Sequence, residues 1–129
     1  MSLSSFKVGA AIPVNDMSKA RQFYEDKLGL SNPEEVGDGG VNYECGGGTS
    51  LHVFPSPGNA GKSEATIAGW DVDDLEKTVD QLSSKGVSFE QYDTGPLKTN
   101  EKGIATVDGA SVAWFKDPDG NVHGLVASS

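Results

Sequence analysis

The sequence predicts an α+β fold made of two diverged copies of a βαβββ module. An alternating apolar strand runs directly into a capped helix near the N-terminus, and the same order recurs in the second half of the chain. Short strands and glycine-rich turns follow each helix. The 129 residues are expected to form one domain, with module 1 over residues 6–55, a linker over residues 55–63 and module 2 over residues 64–127.

The first module opens with a strand. Apolar side chains alternate over Phe6–Val14, which predicts a strand with one buried face. Asp16 is placed to cap a helix that Gly29 ends. Residues spaced three and four apart form one face of this helix: Ala20, Phe23, Tyr24, Lys27 and Leu28. Two short strands are expected next, over Val41–Cys45 and Thr49–Phe54.

The second module repeats this order. A strand is predicted over Ala65–Val72, a cap at Asp73 or Asp74, and a helix that ends before Gly86. The later strands are expected over Val87–Tyr92, Ser111–Phe115 and Asn121–Ala127. The alignment of the two helix starts indicates an internal repeat.

The connections carry clear turn signals. Asp117-Pro118-Asp119-Gly120 has the residues that a type I turn prefers. The run Gly46-Gly47-Gly48 joins two strands, so it is interpreted as a hairpin loop and not as a phosphate-binding loop. The pairs Glu34-Glu35 and Asp73-Asp74 are interpreted as solvated turns and helix caps. The polar sequence over residues 93–102 predicts a longer loop that closes over a site.

Composition narrows the range of partners and compartments. The formal net charge is −9, which argues against binding to nucleic acid or to an anionic membrane surface. No apolar run has the length of a signal peptide or a membrane span. The single cysteine, Cys45, has no partner for a disulfide or a thiolate metal site and is interpreted as structural. We therefore expect a cytoplasmic protein.

The hairpin around the three glycines predicts a polar patch. If Cys45 pairs with Thr49, then Asn42 lies opposite His52 and Glu44 lies opposite Ser50. One face of the hairpin is then apolar and suited to packing on the helices. The other face carries Asn42, Glu44, Ser50, His52 and Phe54.

Five short motifs are similar to those of a known family: Val14-Asn15-Asp16, Phe23-Tyr24, Leu28-Gly29, Val72-Asp73-Asp74-Leu75 and Trp114-Phe115-Lys116-Asp117-Pro118-Asp119-Gly120-Asn121. Together they resemble the vicinal oxygen chelate superfamily, which includes glyoxalase I, fosfomycin-resistance transferases, extradiol dioxygenases and bleomycin-binding proteins. The resemblance spans residues 6–127. It implies the cup-shaped mixed sheet of the glyoxalase/bleomycin resistance/dihydroxybiphenyl dioxygenase fold, a small organic ligand and a homodimer.

The resemblance also identifies where a metal would be held. In metal-dependent members, ligands come from the first and last strand of each module, which correspond here to Gly9, Ile67, Gly124 and His52. Three of these four side chains cannot coordinate a metal, whereas a catalytic metal needs about three protein ligands. We therefore expect no metal and no cofactor. His123, one residue away from such a position, is expected to face the helices as a hydrogen-bonded core or rim residue.

The expected ligand-binding residues are His52, Asn42, Glu44, Phe54, Ile67 and Trp114. Trp114 can equally be a core residue, since large aromatic side chains dominate cores as well as sites. The favoured hypothesis is a metal-free small-molecule binding protein. One alternative is a metal-dependent lyase, isomerase or dioxygenase whose ligands have moved to His52, Glu44 and His123. Another is metal-free acid–base catalysis by His52 with Glu44. The sequence assigns no reaction and no catalytic residue.

Overall fold

The structure is a computed structural model that describes residues 2–95 and 97–127. Contacts between residues divide the chain into two compact units between Lys62 and Ser63, and each unit is described by itself. Pro96, within the predicted loop over residues 93–102, lies outside the described residues. None of the described helices is long and apolar enough to cross a membrane.

The first unit contains one four-stranded sheet and one helix. Its strands are β1 (Ala10–Val14), β2 (Glu34–Glu35), β3 (Val41–Glu44) and β4 (Ser50–Pro55), in the spatial order β1-β4-β3-β2. Strands β1 and β4 are parallel, and the other neighbours are antiparallel. Short 3-10 turns lie at Leu3–Ser5 and Gly46–Gly48.

The second unit repeats this topology. Its main sheet contains β5 (Thr66–Asp71), β8 (Ile104–Val107), β9 (Ala110–Lys116) and β10 (Val122–Ala127), in the order β5-β10-β9-β8. The pair β5–β10 is parallel, like β1–β4 in the first unit. A small hairpin of β6 (Asp93–Thr94) and β7 (Leu97–Lys98) lies between α2 (Leu75–Ser84) and β8. The predicted α+β fold with two copies of one module is therefore confirmed.

The helix of the first unit, α1, spans Met17–Arg21 and continues as a π-helix over Gln22–Lys27. The Asp16 side chain accepts hydrogen bonds from the backbone N–H groups of Ser18 and Lys19, at 2.9 and 3.3 Å, as the predicted cap. The widened turn is shown by the N–H of Leu28, which donates to the carbonyl of Phe23 five residues earlier. Gly29 then takes a φ of 77° and ends the helix.

Helix α2 also begins at an aspartate cap. The Asp74 side chain accepts from the N–H of Lys77 at 3.1 Å, so Asp74 is the cap. Leu75 and Val79 are its buried residues. In each unit, the helix packs on one face of the four-stranded sheet. The opposite face, which we call the open face, is therefore where polar and partly exposed side chains of the strands collect.

Three predictions about secondary structure were wrong. Val87–Tyr92 forms only an isolated bridge between Phe89 and Phe115, and the strand that precedes β9 in the sheet is Ile104–Val107 instead. That strand pairs with β9 across Asp108 and Gly109, whose φ angles of 50° and 83° suit a two-residue hairpin turn. The pair Glu34-Glu35 is a short edge strand and not only a turn.

The third wrong prediction is the polar loop over residues 93–102, because this segment contains the β6–β7 hairpin. The backbone N–H of Tyr92 donates to the Thr99 hydroxyl, and the backbone N–H of Thr99 donates to the Tyr92 carbonyl, both at 2.9 Å. These bonds close the base of the hairpin. Lys102 ties the following turn to α2 by ion pairs with Glu76 and Asp80, at 3.4 and 3.1 Å.

A half-buried ion pair connects α1 to its sheet. The Tyr43 hydroxyl donates to Glu25 at 2.8 Å, and the Arg21 guanidinium donates to the same carboxylate at 2.7 Å. The hydrogen bond from Arg21 lowers the pKa of Glu25, and burial raises the pKa of Tyr43. The shared carboxylate of Glu25 thus connects Arg21 of the helix to Tyr43 of the sheet.

Candidate functional site

The β3–β4 hairpin has the predicted register. Asn42 lies opposite His52, Glu44 lies opposite Ser50, and the backbone N–H of Cys45 donates to the carbonyl of Thr49 at 2.9 Å. Val41, Tyr43, Leu51 and Val53 are buried on the helix side. Strand alternation therefore places Asn42, His52 and Phe54 together on the open face of the first unit.

His52 is the centre of a hydrogen-bonded cluster on this face. Its Nδ1 lies 2.7 Å from Oδ1 of Asn42, and its Nε2 lies 2.8 Å from Oδ2 of Asp38. The ring also stacks on Phe54, with the planes 6° apart and the centroids separated by 5.3 Å. The His52 side chain is 27% exposed, so it is held on both edges while part of it still faces solvent.

Asp38 was not predicted as a site residue, and a tight turn brings it to His52. The backbone N–H of Val36 donates to the carbonyl of Gly40, and Gly39 takes a φ of 88°. The second carboxylate oxygen of Asp38 accepts from the N–H of Gly40 at 2.8 Å. Gly40 itself lies against β4, where a Cβ would overlap the carbonyl oxygen of Val53. Only glycine allows this approach.

The electrostatics of the cluster follow from these bonds. The backbone N–H of Gly40, and next the His52 ring, lower the pKa of Asp38, so its carboxylate stays charged. A carboxylate only accepts, so Nε2 of His52 donates to Asp38, and the tautomer of the ring decides whether Nδ1 accepts from or donates to the Asn42 amide.

Glu44 lies further along the same hairpin. It is exposed and pairs with Ser50, whereas the hydrogen bonds of His52 run to Asn42 and Asp38. The carboxylate partner of His52 is therefore Asp38, where the sequence suggested Glu44. The sequence signal for Asp38 is the run Asp38-Gly39-Gly40, which is typical of a turn.

The open face of the second unit carries the other predicted aromatic residue. Trp114 lies opposite Gly124 on β10, and Gly124 lies opposite Gly69 on β5, so the three form one row across the sheet. Tyr92 packs against Trp114 edge to face, with centroids 5.3 Å apart. Strand alternation places Ile67 on the same face as Gly69, next to an irregularity in the β5–β10 pairing.

His123 lies on the helix side of this sheet, as expected for a core residue. It is 0% exposed, its Nδ1 accepts from the indole N–H of Trp70 at 3.1 Å, and its ring stacks on Phe115 at 4.9 Å. Burial lowers the pKa of His123 to about 4, although the nearby Asp117 carboxylate opposes this shift. His123 is thus a neutral structural residue at ordinary pH.

Cys45 also has a structural environment. It is partly buried, its thiol lies 3.8 Å from the carbonyl oxygen of Tyr43, and burial raises the pKa of the thiol. A raised pKa reduces the thiolate fraction, which is the reactive form.

The residues at the family's metal positions do not suit a metal ion. Gly9, Ile67 and Gly124 offer no side-chain donor, and both nitrogens of His52 already bond to protein side chains. Within residues 2–95 and 97–127, no three His, Cys, Asp or Glu residues form a group that could hold a metal. A catalytic metal generally requires about three such ligands.

The structure brings Asn42, His52 and Phe54 together in the first unit and adds Asp38 to them. It places Ile67 and Trp114 on the open face of one sheet in the second unit. That all six predicted residues line a single cavity stays a prediction.

Two grooves of about 460 and 390 Å³ lie along α2 in the second unit. Their lining is rich in carboxylates, including Asp74 and Glu76, and contains no aromatic side chain. Organic ligands prefer apolar and aromatic walls with a few polar groups. The open faces of the two sheets fit that description better than these grooves.

The topology agrees with a comparison to known families. The family described as the Glyoxalase/Bleomycin resistance protein/Dioxygenase superfamily matches residues 8–123, which is most of the chain. The chain belongs to this superfamily. No curated protein matches the sequence.

Solved structures of the superfamily are similar over nearly the whole chain. TnmS3, an antibiotic binding protein from Streptomyces sp. CB03234, is 27% identical with a TM-score of 0.70, over 94% of this chain and 93% of that one. A glyoxalase/bleomycin resistance protein from the same organism is 26% identical with a TM-score of 0.66, over 92% and 96%. One from Catenulispora acidiphila DSM 44928, at 19% identity and a TM-score of 0.69 over 96% and 99%, shows similarity of fold alone.

Proposed function

We propose that this superfamily member is a metal-free protein that binds a small organic molecule. The observation that carries the proposal is the His52 cluster: an aromatic stack of His52 and Phe54, flanked by the amide of Asn42 and the carboxylate of Asp38, on a partly exposed sheet face. Such a mixture of aromatic surface and few polar groups suits an organic ligand. The proposed ligand contacts are Asn42, Glu44, His52, Phe54, Ile67 and Trp114.

The similarity to an antibiotic binding protein supports this class of function. At 27% identity it does not define the ligand, so the first experiment screens for one. We would titrate the protein by calorimetry with bleomycin and a panel of aromatic antibiotics. The expected result is saturable binding of at least one compound at one site per chain.

Variants then test whether the His52 cluster holds the bound compound. Phe54→Ala removes the stacking partner of His52 and is expected to weaken binding by about tenfold, which corresponds to about 1.4 kcal/mol. Phe6→Ala is the matched control, because Phe6 is 61% exposed near the N-terminus. Equal binding by both variants and the wild type would contradict the proposed site.

The metal-dependent alternative is a lyase, isomerase or dioxygenase whose ligands have moved to the surroundings of His52. Its support is that Asp38 and Asn42 place oxygen atoms beside the His52 ring. Metal analysis of protein purified without chelator, before and after addition of divalent metals, separates the two functions. We expect no stoichiometric metal in wild type or His52→Ala. About one metal per chain that disappears in His52→Ala would establish the alternative.

We further propose that the protein is a cytoplasmic homodimer. The single cysteine, which has no disulfide partner in the chain, supports a reducing compartment, and the superfamily resemblance supports the dimer. Light scattering coupled to size-exclusion chromatography tests the dimer directly. A mass of one chain at micromolar concentration would contradict it.

A further inference from the structure

The two tryptophans of the second unit differ in what their indole N–H groups do. Trp70 donates to His123 on the helix side of the sheet. Trp114 lies on the open face and is partly exposed, and its N–H donates to none of the residues in the described ranges 2–95 and 97–127. Trp114 thus offers an unused hydrogen-bond donor on the face where we propose a ligand.

The indole of Trp114 lies close to Gly124, which has no side chain to separate the two strands' residues on this face. A Cβ at Gly124 would lie 3.6 Å from Cδ1 and 3.7 Å from Nε1 of Trp114, and 3.2 Å from Cγ2 of Thr66. The N–H edge of the indole therefore lies over Gly124 of β10. A Cβ at position 124 would be crowded against the Thr66 methyl group and in ordinary van der Waals contact with the indole, so this glycine has a reason within the protein.

At Gly69, the next residue in the same row, no contact with the described residues requires a glycine. It is exposed, its φ is not positive, and a Cβ there would meet no atom of the described residues within 4 Å. Glycine weakens a strand, because it loses more conformational freedom than any other residue and contributes no side-chain packing. A glycine within a strand often marks a place where a ligand or another backbone approaches closely.

We propose that Gly69 is a specificity-determining residue, and that the ligand is a planar ring system with a hydrogen-bond acceptor on its edge. The ring lies on the bare backbone at Gly69, between Trp114 and Ile67, and its acceptor receives the indole N–H of Trp114. Strands are about 4.8 Å apart, so Gly69 lies within reach of a ring that contacts the indole edge over Gly124. This inference rests on the proposed small-molecule function and adds the shape and chemistry of the ligand.

Quinoline is a suitable probe because it is flat and carries one ring nitrogen as acceptor. Naphthalene has the same shape without the acceptor, and adamantan-1-ol has a similar size without the flatness. Titrations followed by amide NMR are expected to shift the Gly69 signal with quinoline, less with naphthalene, and not with adamantan-1-ol. No shift at Gly69 with quinoline would overturn the proposal.

Substitutions at Gly69 test the role of its bare backbone. Gly69→Ala is expected to weaken quinoline binding about threefold and Gly69→Val more than tenfold, with unchanged folding, because the added atoms enter open space. Gly58→Ala is the matched control, since a Cβ there also meets nothing within 4 Å and its φ is not positive. Wild-type affinity in Gly69→Val would overturn the proposal. A changed oligomeric state with unchanged affinity would do the same, and would indicate that another backbone approaches β5.

Trp114→Phe tests the hydrogen bond, because it keeps an aromatic ring and removes the N–H. The wild type is expected to prefer quinoline to naphthalene by at least threefold, and Trp114→Phe to bind both equally. A preference that persists in Trp114→Phe would overturn the assignment of the donor. If the antibiotic screen succeeds and Phe54→Ala weakens binding while Gly69→Val does not, only this inference fails. If the screen finds no ligand at all, the proposed function fails with it.

Discussion

The two tryptophans lie on opposite faces of the second unit's sheet, and the two histidines differ in the same way although they belong to different sheets. His123 and Trp70 lie on the helix side and bond to each other, and His123 is fully buried against Phe115. His52 and Trp114 lie on open faces and remain partly exposed. The same residue types therefore serve packing in one place and are available to a ligand in the other. The face of the strand decides between the two roles, since successive side chains alternate across a sheet.

Removal of the two imidazoles is expected to give the largest contrast. His123→Ala leaves a cavity beside Phe115 and deprives the Trp70 N–H of its acceptor, so it should lower the free energy of unfolding by about 3 kcal/mol. His52→Ala affects a partly exposed side chain and should cost about 1 kcal/mol or less. Urea unfolding of both variants measures the difference. Similar losses would mean that His52 is as structural as His123.

Acid pH should lower the free energy of unfolding through the buried His123. The pKa of His123 is lowered to about 4 from 6.5, so below pH 6.5 the unfolded chain binds a proton that the folded chain does not. This part of the stability is complete above pH 6.5 and is lost as the pH falls toward 4. The loss should amount to about 3 kcal/mol, at 1.36 kcal/mol for each pKa unit.

A variant that cannot titrate isolates this contribution from that of the carboxylates. His123→Gln should show a flatter dependence of unfolding free energy on pH between 6.5 and 4 than the wild type. Measurements by urea unfolding at half-unit pH steps give the difference curve directly. Parallel curves for the two proteins would show that His123 is protonated in the folded state already.

The tryptophans should show a smaller contrast of the same kind. Trp70→Phe leaves Nδ1 of His123 buried without a donor, which should cost about 1–2 kcal/mol. Trp114→Phe breaks no hydrogen bond within the described residues and should change stability by about 0.5 kcal/mol or less. Thermal unfolding of the two variants checks this order. A larger loss for Trp114→Phe would argue that Trp114 is a core residue after all.

Much of the fold could be predicted because its signals are local. The cap at Asp16 and the register of the Gly46–Gly48 hairpin depend on residues close in sequence, and the structure has both. The alternating strand predicted over Phe6–Val14 is present only over Ala10–Val14, since Phe6 and Val8 are exposed and precede the strand. The strand Ile104–Val107 was missed although Asp108-Gly109 is a strong hairpin signal. The apolar run over Val87–Tyr92 was preferred instead, yet it finds only one bridging partner.

The site was predicted less completely because its contacts join distant residues. Strand parity was enough to place His52 and Asn42 on one face. The Asp38 carboxylate comes from a turn fourteen positions before His52, and its place depends on the close packing of Gly40 against β4. No periodicity in the sequence encodes such an approach. The environment of Trp114 was equally hidden, because it depends on which residues of three different strands share a row.

The smallest expected effect concerns the charge on Asp38, and it sharpens the account of the open-face histidine. The pKa of Asp38 should lie below its ordinary value of 3.8, since the Gly40 N–H and the His52 ring both stabilise the carboxylate. NMR titration of the carboxyl carbon measures this midpoint. In His52→Gln the midpoint should rise only part of the way to 3.8, because the larger contribution, from Gly40, remains. A midpoint that does not move would mean that the contact between Asp38 and His52 does not persist in solution, and that the nitrogen of His52 is free to meet a ligand.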